Sequence, residues 1–300
     1  MKTYFSLTKR NIKMFFKDKG MFFTSLITPI ILLILYATFL AKVYKDSFAS
    51  SMPDGFSVSE KLINGTVAGE LFSSLLAVSC ITVAFCANML MVQDKVTGAR
   101  KDFDVTPVKK STLYLSYYSA TLVTTLLISV VATLLSFVYV ATKGWFLSGV
   151  DVLLIFVDVF LLSMFGTALS SFINSFLSSQ GQISAVGTIV SAGYGFICGA
   201  YMPISQFSTG LQKAIMFLPG TYGTSLIRNH SLNGVFNQMA KEGIPAELID
   251  GIKESVDCNL YFFNHKVSIL ASYCVLAGSI VVLIGAYVLV NYLRSRKANR

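Results

Sequence analysis

Long apolar runs divided by short polar stretches dominate this chain, and their lengths predict helices that cross a membrane. The hydrocarbon core of a bilayer takes about 20 helical residues. Runs of that order lie at 21–41, 66–92, 112–141, 150–173, 184–202 and 267–292. Pro29 predicts a kink in the first. Residues 2–19, KTYFSLTKRNIKMFFKDK, are patterned differently. At about 100° per residue, Lys9, Arg10, Lys13 and Lys17 share one side of a helix, and Phe5, Ile12, Phe15 and Phe16 share another. That pattern predicts an interfacial helix over 1–20, its cations towards anionic lipid. A basic start before an apolar run also marks a signal peptide, but the 21–41 run is too long and no small-x-small site closes it. The expected fold is an all-α polytopic membrane protein, one transmembrane domain over 1–300 with six spans.

The fifth run departs from a plain span. Gly187, Ser191, Gly195 and Gly199 recur every fourth residue, a ridge of small residues on which another helix packs closely. The run breaks at Gly199-Ala-Tyr-Met-Pro203 and resumes as Leu211–Leu218, too short to cross a bilayer. Backbone breaks at membrane depth are tolerated inside protein or against a water-filled cavity. Residues 203–228 are therefore expected to be a re-entrant segment at an outward-facing mouth. The alternative is an ordinary terminal membrane helix followed by a surface helix. The following loop, 229–266, contains GIPAELIDGIKESV, whose Ile244, Leu248, Ile249, Ile252 and Val256 fall on one helix face, with Pro245 near its start.

Composition sharpens the class. The chain is 54% hydrophobic and 13% charged, with mean hydropathy +0.66, whereas soluble domains carry roughly a quarter charged residues. The net charge of +9 is placed by topology and need not mean nucleic acid. Segments 1–21, 93–111, 174–182 and 291–300 hold 15 Lys/Arg in 59 residues; segments 42–65, 141–150 and 201–266 hold 9 in 100. The excess of cations puts both termini and the 93–111 loop in the cytoplasm. Five scattered cysteines form neither a metal pattern nor a disulfide framework. No GxxxxGK[ST] loop and no HExxH occurs, so neither catalysis nor a bound cofactor or metal is expected of this chain.

Two features could carry function. The loop QDKVTGARKDFDVTPVKK is dense in both signs of charge. Gly98 permits a sharp turn, Ala99–Val105 can form two helical turns, and Thr106-Pro107 ends them. Phe103 is its one large apolar side chain and needs a pocket. A docking helix and a solvated loop whose charges merely fix topology fit these residues equally. The second feature is Asp158, about two turns into the fourth run, with Glu70 near the outer end of the second. Carboxylates at such depth mark pathways or buried pairs.

Taken together the chain resembles permeases of ABC transporters of the ABC-2 type, the type-two exporter class. The resemblance covers the whole chain in order and rests on three stretches. TKRNIKMFFKDKG is similar to that family's connecting helix, and Asp94, Gly98, Phe103, Thr106 and Pro107 match its cytoplasmic loop, with Lys101 and Asp102 between them. Gly199, Pro203, Leu211, Pro219, Tyr222 and Arg228 match its re-entrant segment. Ala99 and Asp104 depart from the usual loop pattern. The resemblance implies a half-transporter that pairs with a second permease copy or homologue and with two ATPase subunits, which hold the ATP and magnesium; the expected location is a cell membrane, with a bacterial one the natural setting. It implies export of a small molecule, peptide or amphipathic, lipid-linked cargo. Two competing readings are a proton- or ion-driven secondary transporter centred on Asp158, and a non-transporting scaffold or sensor.

Overall fold

A computed structural model of the protein describes residues 1–35, 38, 41–42 and 58–297. Residues 36, 37, 39 and 40 of the first apolar run, 43–57 of the polar loop after it, and 298–300 of the basic end lie outside the described residues. The helices are α1 (Lys2–Lys17), α2 (Lys19–Leu35), α3 (Glu60–Val96), α4 (Ala99–Asp104), α5 (Lys110–Lys143) and α6 (Gly149–Ser175). They continue with α7 (Gln180–Ile197), a 3-10 turn (Ile204–Gln206), α8 (Thr209–Ile215), α9 (Pro219–Lys241), α10 (Ala246–Ser255) and α11 (Ile269–Lys297). One two-stranded antiparallel hairpin, β1 (Tyr261–Phe262) with β2 (His265–Lys266), precedes α11.

Among the described residues α3, α5, α6 and α11 are long and apolar enough to cross a membrane, and a fifth span follows if α1 and α2, bent by 73°, count as one. The bend falls at Asp18, whose Oδ1 accepts the Met21 N–H at 3.0 Å and so caps the start of α2. α7, with 18 residues, is outside that set, its hydropathy diluted by Gln180, Gln182 and its small residues.

α3 is the post of the bundle. Its apolar window is 94% buried, and α2, α5, α6, α7 and α9 all pack against it. Small side chains make this approach sterically feasible: Ser73, Ala77, Cys80 and Ala84 are buried along it. At Gly166 of α6 an added Cβ would stand 3.0 Å from the Cys80 carbonyl oxygen. Lipid tails are as apolar as side chains, so close packing and interhelical hydrogen bonds must hold such a bundle. Asn88 supplies two, its Nδ2 donating to Ser170 Oγ at 3.1 Å and Ser171 Oγ at 2.7 Å on α6.

Several expected boundaries move. α3 runs 60–96 rather than 66–92, with Ser59 accepting from the Leu62 N–H, so Gln93–Val96 belong to a helix and not to the loop. The fifth run, expected at 184–202, is helical over 180–197, from the Ser179 cap to the left-handed Gly199 (φ +73°). The division expected between 203–228 and 229–266 falls inside α9, which continues through Arg228 without a break. The polar side chains of α9 hide it from a hydropathy pattern, yet Arg228, His230 and Ser231 are buried against neighbouring helices. Pro219 at its first turn sets the start, where a missing N–H costs nothing. α10 follows its periodicity: Ile249 and Val256 are buried, and Ile244 and Ile252 pack beside them on Leu232, Val235 and Met239 of α9.

Candidate functional site

The loop between α3 and α5 is built on Gly98, in the left-handed region at φ +84°. A Cβ there would meet nothing within 4 Å, so the backbone conformation alone calls for glycine. One turn earlier Asp94, 4% exposed, accepts from Arg10 Nη1 at 2.5 Å and Nη2 at 3.2 Å, and from the Tyr117 hydroxyl at 2.5 Å. A two-pronged guanidinium–carboxylate contact fixes orientation as well as distance. It ties α1, α3 and α5 together beneath α4. The Arg10 guanidinium also lies 5.4 Å from the Phe103 ring, and that of Arg100 lies 4.6 Å from the Tyr114 ring.

The pocket that Phe103 needs is thus supplied by this chain. The ring is half-buried on α1, and Val105, 87% exposed, takes the outward position. Lys101, Asp102, Thr106 and Pro107 are exposed around it. Thr106 Oγ1 donates to the Phe103 carbonyl at 2.7 Å and closes the turn. Beside this loop the Lys95 ammonium donates to the carbonyls of Asn174, Ser175 and Leu177 at 3.1–3.3 Å, and Arg294 reaches Ser175 as well. Cations at the end of α6 satisfy carbonyls that have no helical partner.

At the far end of the bundle the buried Arg228 (1% exposed) gathers four segments. Its Nη1 donates to the Val256 carbonyl at 2.9 Å and to Asp257 Oδ2 at 3.3 Å. Its Nη2 donates to Ser74 Oγ at 2.9 Å on α3 and to the Gly199 carbonyl at 3.0 Å. Asp257 in turn accepts the Ile204 N–H at 2.9 Å, just after Pro203. Burial pushes the Asp257 carboxyl up to about 6, with Arg228 pulling against it. Tyr222 donates its hydroxyl to the Met216 carbonyl at 2.7 Å and seats the start of α9 on the end of α8. Gly199 and Arg228 therefore meet at one junction, which Pro203 adjoins through Ile204, while Tyr222 braces the neighbouring corner where Pro219 starts α9, and Leu211 is exposed on α8.

Of the small-residue ridge on α7, Gly187 faces Met89 of α3, Gly195 lies under the Tyr201 ring, and the Ser191 carbonyl accepts the Tyr201 hydroxyl at 3.5 Å. One position of the three thus meets another helix, and the upper two receive the chain folding back after Gly199. The same side of α7 borders a groove of about 770 Å³ against α2, lined by Thr24, Thr28, Ser184, Thr188 and Ser191 together with apolar Ile27, Ile31 and Leu32.

Asp158 of α6, 1% exposed, has both oxygens engaged. Oδ2 lies 2.6 Å from His230 Nδ1 on α9, and Oδ1 accepts the Tyr273 hydroxyl of α11 at 2.6 Å. The imidazole stacks beside the Tyr273 ring at 6.4 Å. The sequence singles out Asp158 and places His230 in an outer loop; the signal for His230 is its place two residues after Arg228, in the helix that Pro219 begins. Glu70 is buried on α3 within the field of Arg228. Among the described residues no group of three or more His, Cys, Asp or Glu could hold a metal ion.

Comparison with curated proteins finds no match. Comparison with known families matches residues 49–289 to the one described as ABC-2 family transporter protein. That range takes in α3 through most of α11, including the tethered α4 loop and the Arg228 junction. A predominantly helical chain with apolar spans around one buried helix, matched over most of its length, belongs to the ABC-2 transporter family and is a multi-pass membrane permease component.

Proposed function

We propose that this chain is the membrane subunit of an ATP-driven exporter, with α2 and α7 completing six crossings and both termini in the cytoplasm. The observation that carries the reading is an exposed helical turn held on a braced mount. Val105, Lys101 and Asp102 face outward, while Asp94 beneath them is held by Arg10 and Tyr117. Two separate ATPase subunits would bind ATP and magnesium, one seated on each α4. Their closure pushes α4, and the Asp94 contacts pass that push to α1, α3 and α5 together.

A second permease copy or homologue faces the groove between α2 and α7, and cargo passes along that shared surface. The segment 203–218 with the first turn of α9 dips back beside α7 as an outer gate: Thr221 Oγ1 reaches the Ile197 carbonyl at 3.4 Å. The secondary-transporter reading is disfavoured by the engagement of both Asp158 oxygens, which suits a helix clamp better than an open ion site. The test is copurification with a co-expressed phosphate-loop ATPase. Val105→Asp and Phe103→Ala are expected to lose the ATPase while keeping wild-type thermal stability to within a few degrees. Retention of the ATPase by both variants contradicts the docking assignment.

A further inference from the structure

A second groove, of about 400 Å³, runs between α2 and α5 with Leu75 of α3 as its floor. Phe22, Leu26 and Leu33 form one wall and Leu127, Val131 and Leu135 the other. No polar atom is presented to it: Ser136, which also borders it, donates its hydroxyl to the Ala132 carbonyl at 2.8 Å. A site of this kind is unsuited to water, which needs several polar partners. The outer lips, Ile30, Val131 and Leu135, are exposed.

The mouth of the groove is Phe16, in the last turn of α1. Lys9, Lys13 and Lys17 descend α1 at intervals of four residues towards it, all exposed, and none makes a hydrogen bond or ion pair among the described residues. Like charges at that spacing repel and raise the energy of the helix. An anion spanning them removes that cost. Arg10, beside this row, is already committed to Asp94.

A row of unpaired cations ending at a slot without polar atoms has the chemistry of an anionic amphiphile. We infer that this groove binds one acyl chain of an anionic phospholipid whose phosphate rests on Lys13 and Lys17. This rests on α1 lying in the headgroup layer, and it names the lipid that this helix selects. An occupied slot fills the space between α2 and α5, two helices that pack on the same post.

The test is native mass spectrometry of the full chain purified in mild detergent with equal amounts of palmitoyl-oleoyl phosphatidylglycerol and phosphatidylcholine. Wild type is expected to retain phosphatidylglycerol preferentially. Each lysine near an anionic surface contributes roughly a fivefold preference, so Lys13→Gln with Lys17→Gln should reduce that preference about 25-fold. Val131→Trp, or Leu135→Trp if the first does not fold, fills the slot and should remove the retained lipid. Equal retention of the two lipids by wild type, or undiminished phosphatidylglycerol in a folded tryptophan variant, overturns the inference. Copurification of the ATPase is unaffected by either outcome, so failure here is distinct from failure of the exporter reading.

Discussion

Arg228 is worth its burial only because every arm of the guanidinium has somewhere to go. Removing one partner of a buried ion pair costs about 3–5 kcal/mol, since the other charge is left without water. The partners come from residues 28 to 155 positions away, so the arginine was visible in the sequence and its role as a clasp was not. Asp257 carries the measurable consequence. Its carboxyl, raised by burial to about 6, holds a proton more readily in the folded protein than in the unfolded chain. Stability contributed by this group is therefore full below about pH 4, falls as pH rises to about 6, and is flat above. The thermal midpoint of wild type relative to Asp257→Asn should increase as pH is lowered from 7 to 5. A difference that stays constant or shrinks over that interval contradicts the burial argument.

At the scale of elements, α4 is a short helix that could not persist alone, because an isolated helix needs about 12–15 residues even to be marginal. It is held by Gly98 at one end and by Phe103 and Arg100 against α1 and α5. Gly98→Ala puts a side chain where φ is +84° and space is free, so its whole effect is backbone strain, about 1–2 kcal/mol. Faster amide exchange across 99–104, with exchange in α3 unchanged, is the expected result; unchanged exchange in α4 would show that the tertiary contacts alone define it. This loop was legible in sequence through Gly98, Thr106 and Pro107, whose backbone effects are local. α9 was not legible, because Thr, Ser, Arg and His interrupt the apolar residues of its buried face, and the partners of Arg228 and His230 are far away in the chain. The apolar lengths of α5, α6 and α11 gave their positions within a few residues, since a bilayer imposes those lengths.

The whole molecule is a set of helices leaning on one buried post, tied near one end by Asp94 and near its middle by Arg228. Clamps at the Asp94 end of α3 and near its middle, at Ser73 and Ser74, allow a push at α4 to be felt at the Gly199 turn, provided α3 moves as a rigid body. Composition alone indicated a polytopic membrane chain, and three matched stretches indicated the family; neither could reveal that α3 is enclosed on all sides, because nothing in an apolar run says whether lipid or protein surrounds it. The central claim is that the motor is a separate molecule gripping α4 from the cytoplasm. The most direct measurement is labelling of Val105→Cys by a membrane-impermeant maleimide in vesicles of known orientation, corrected for labelling of the parent protein and repeated with the ATPase bound. Labelling confined to inside-out vesicles and blocked by the ATPase is the predicted result. Labelling of right-side-out vesicles, or labelling that the bound ATPase leaves unchanged, would contradict it.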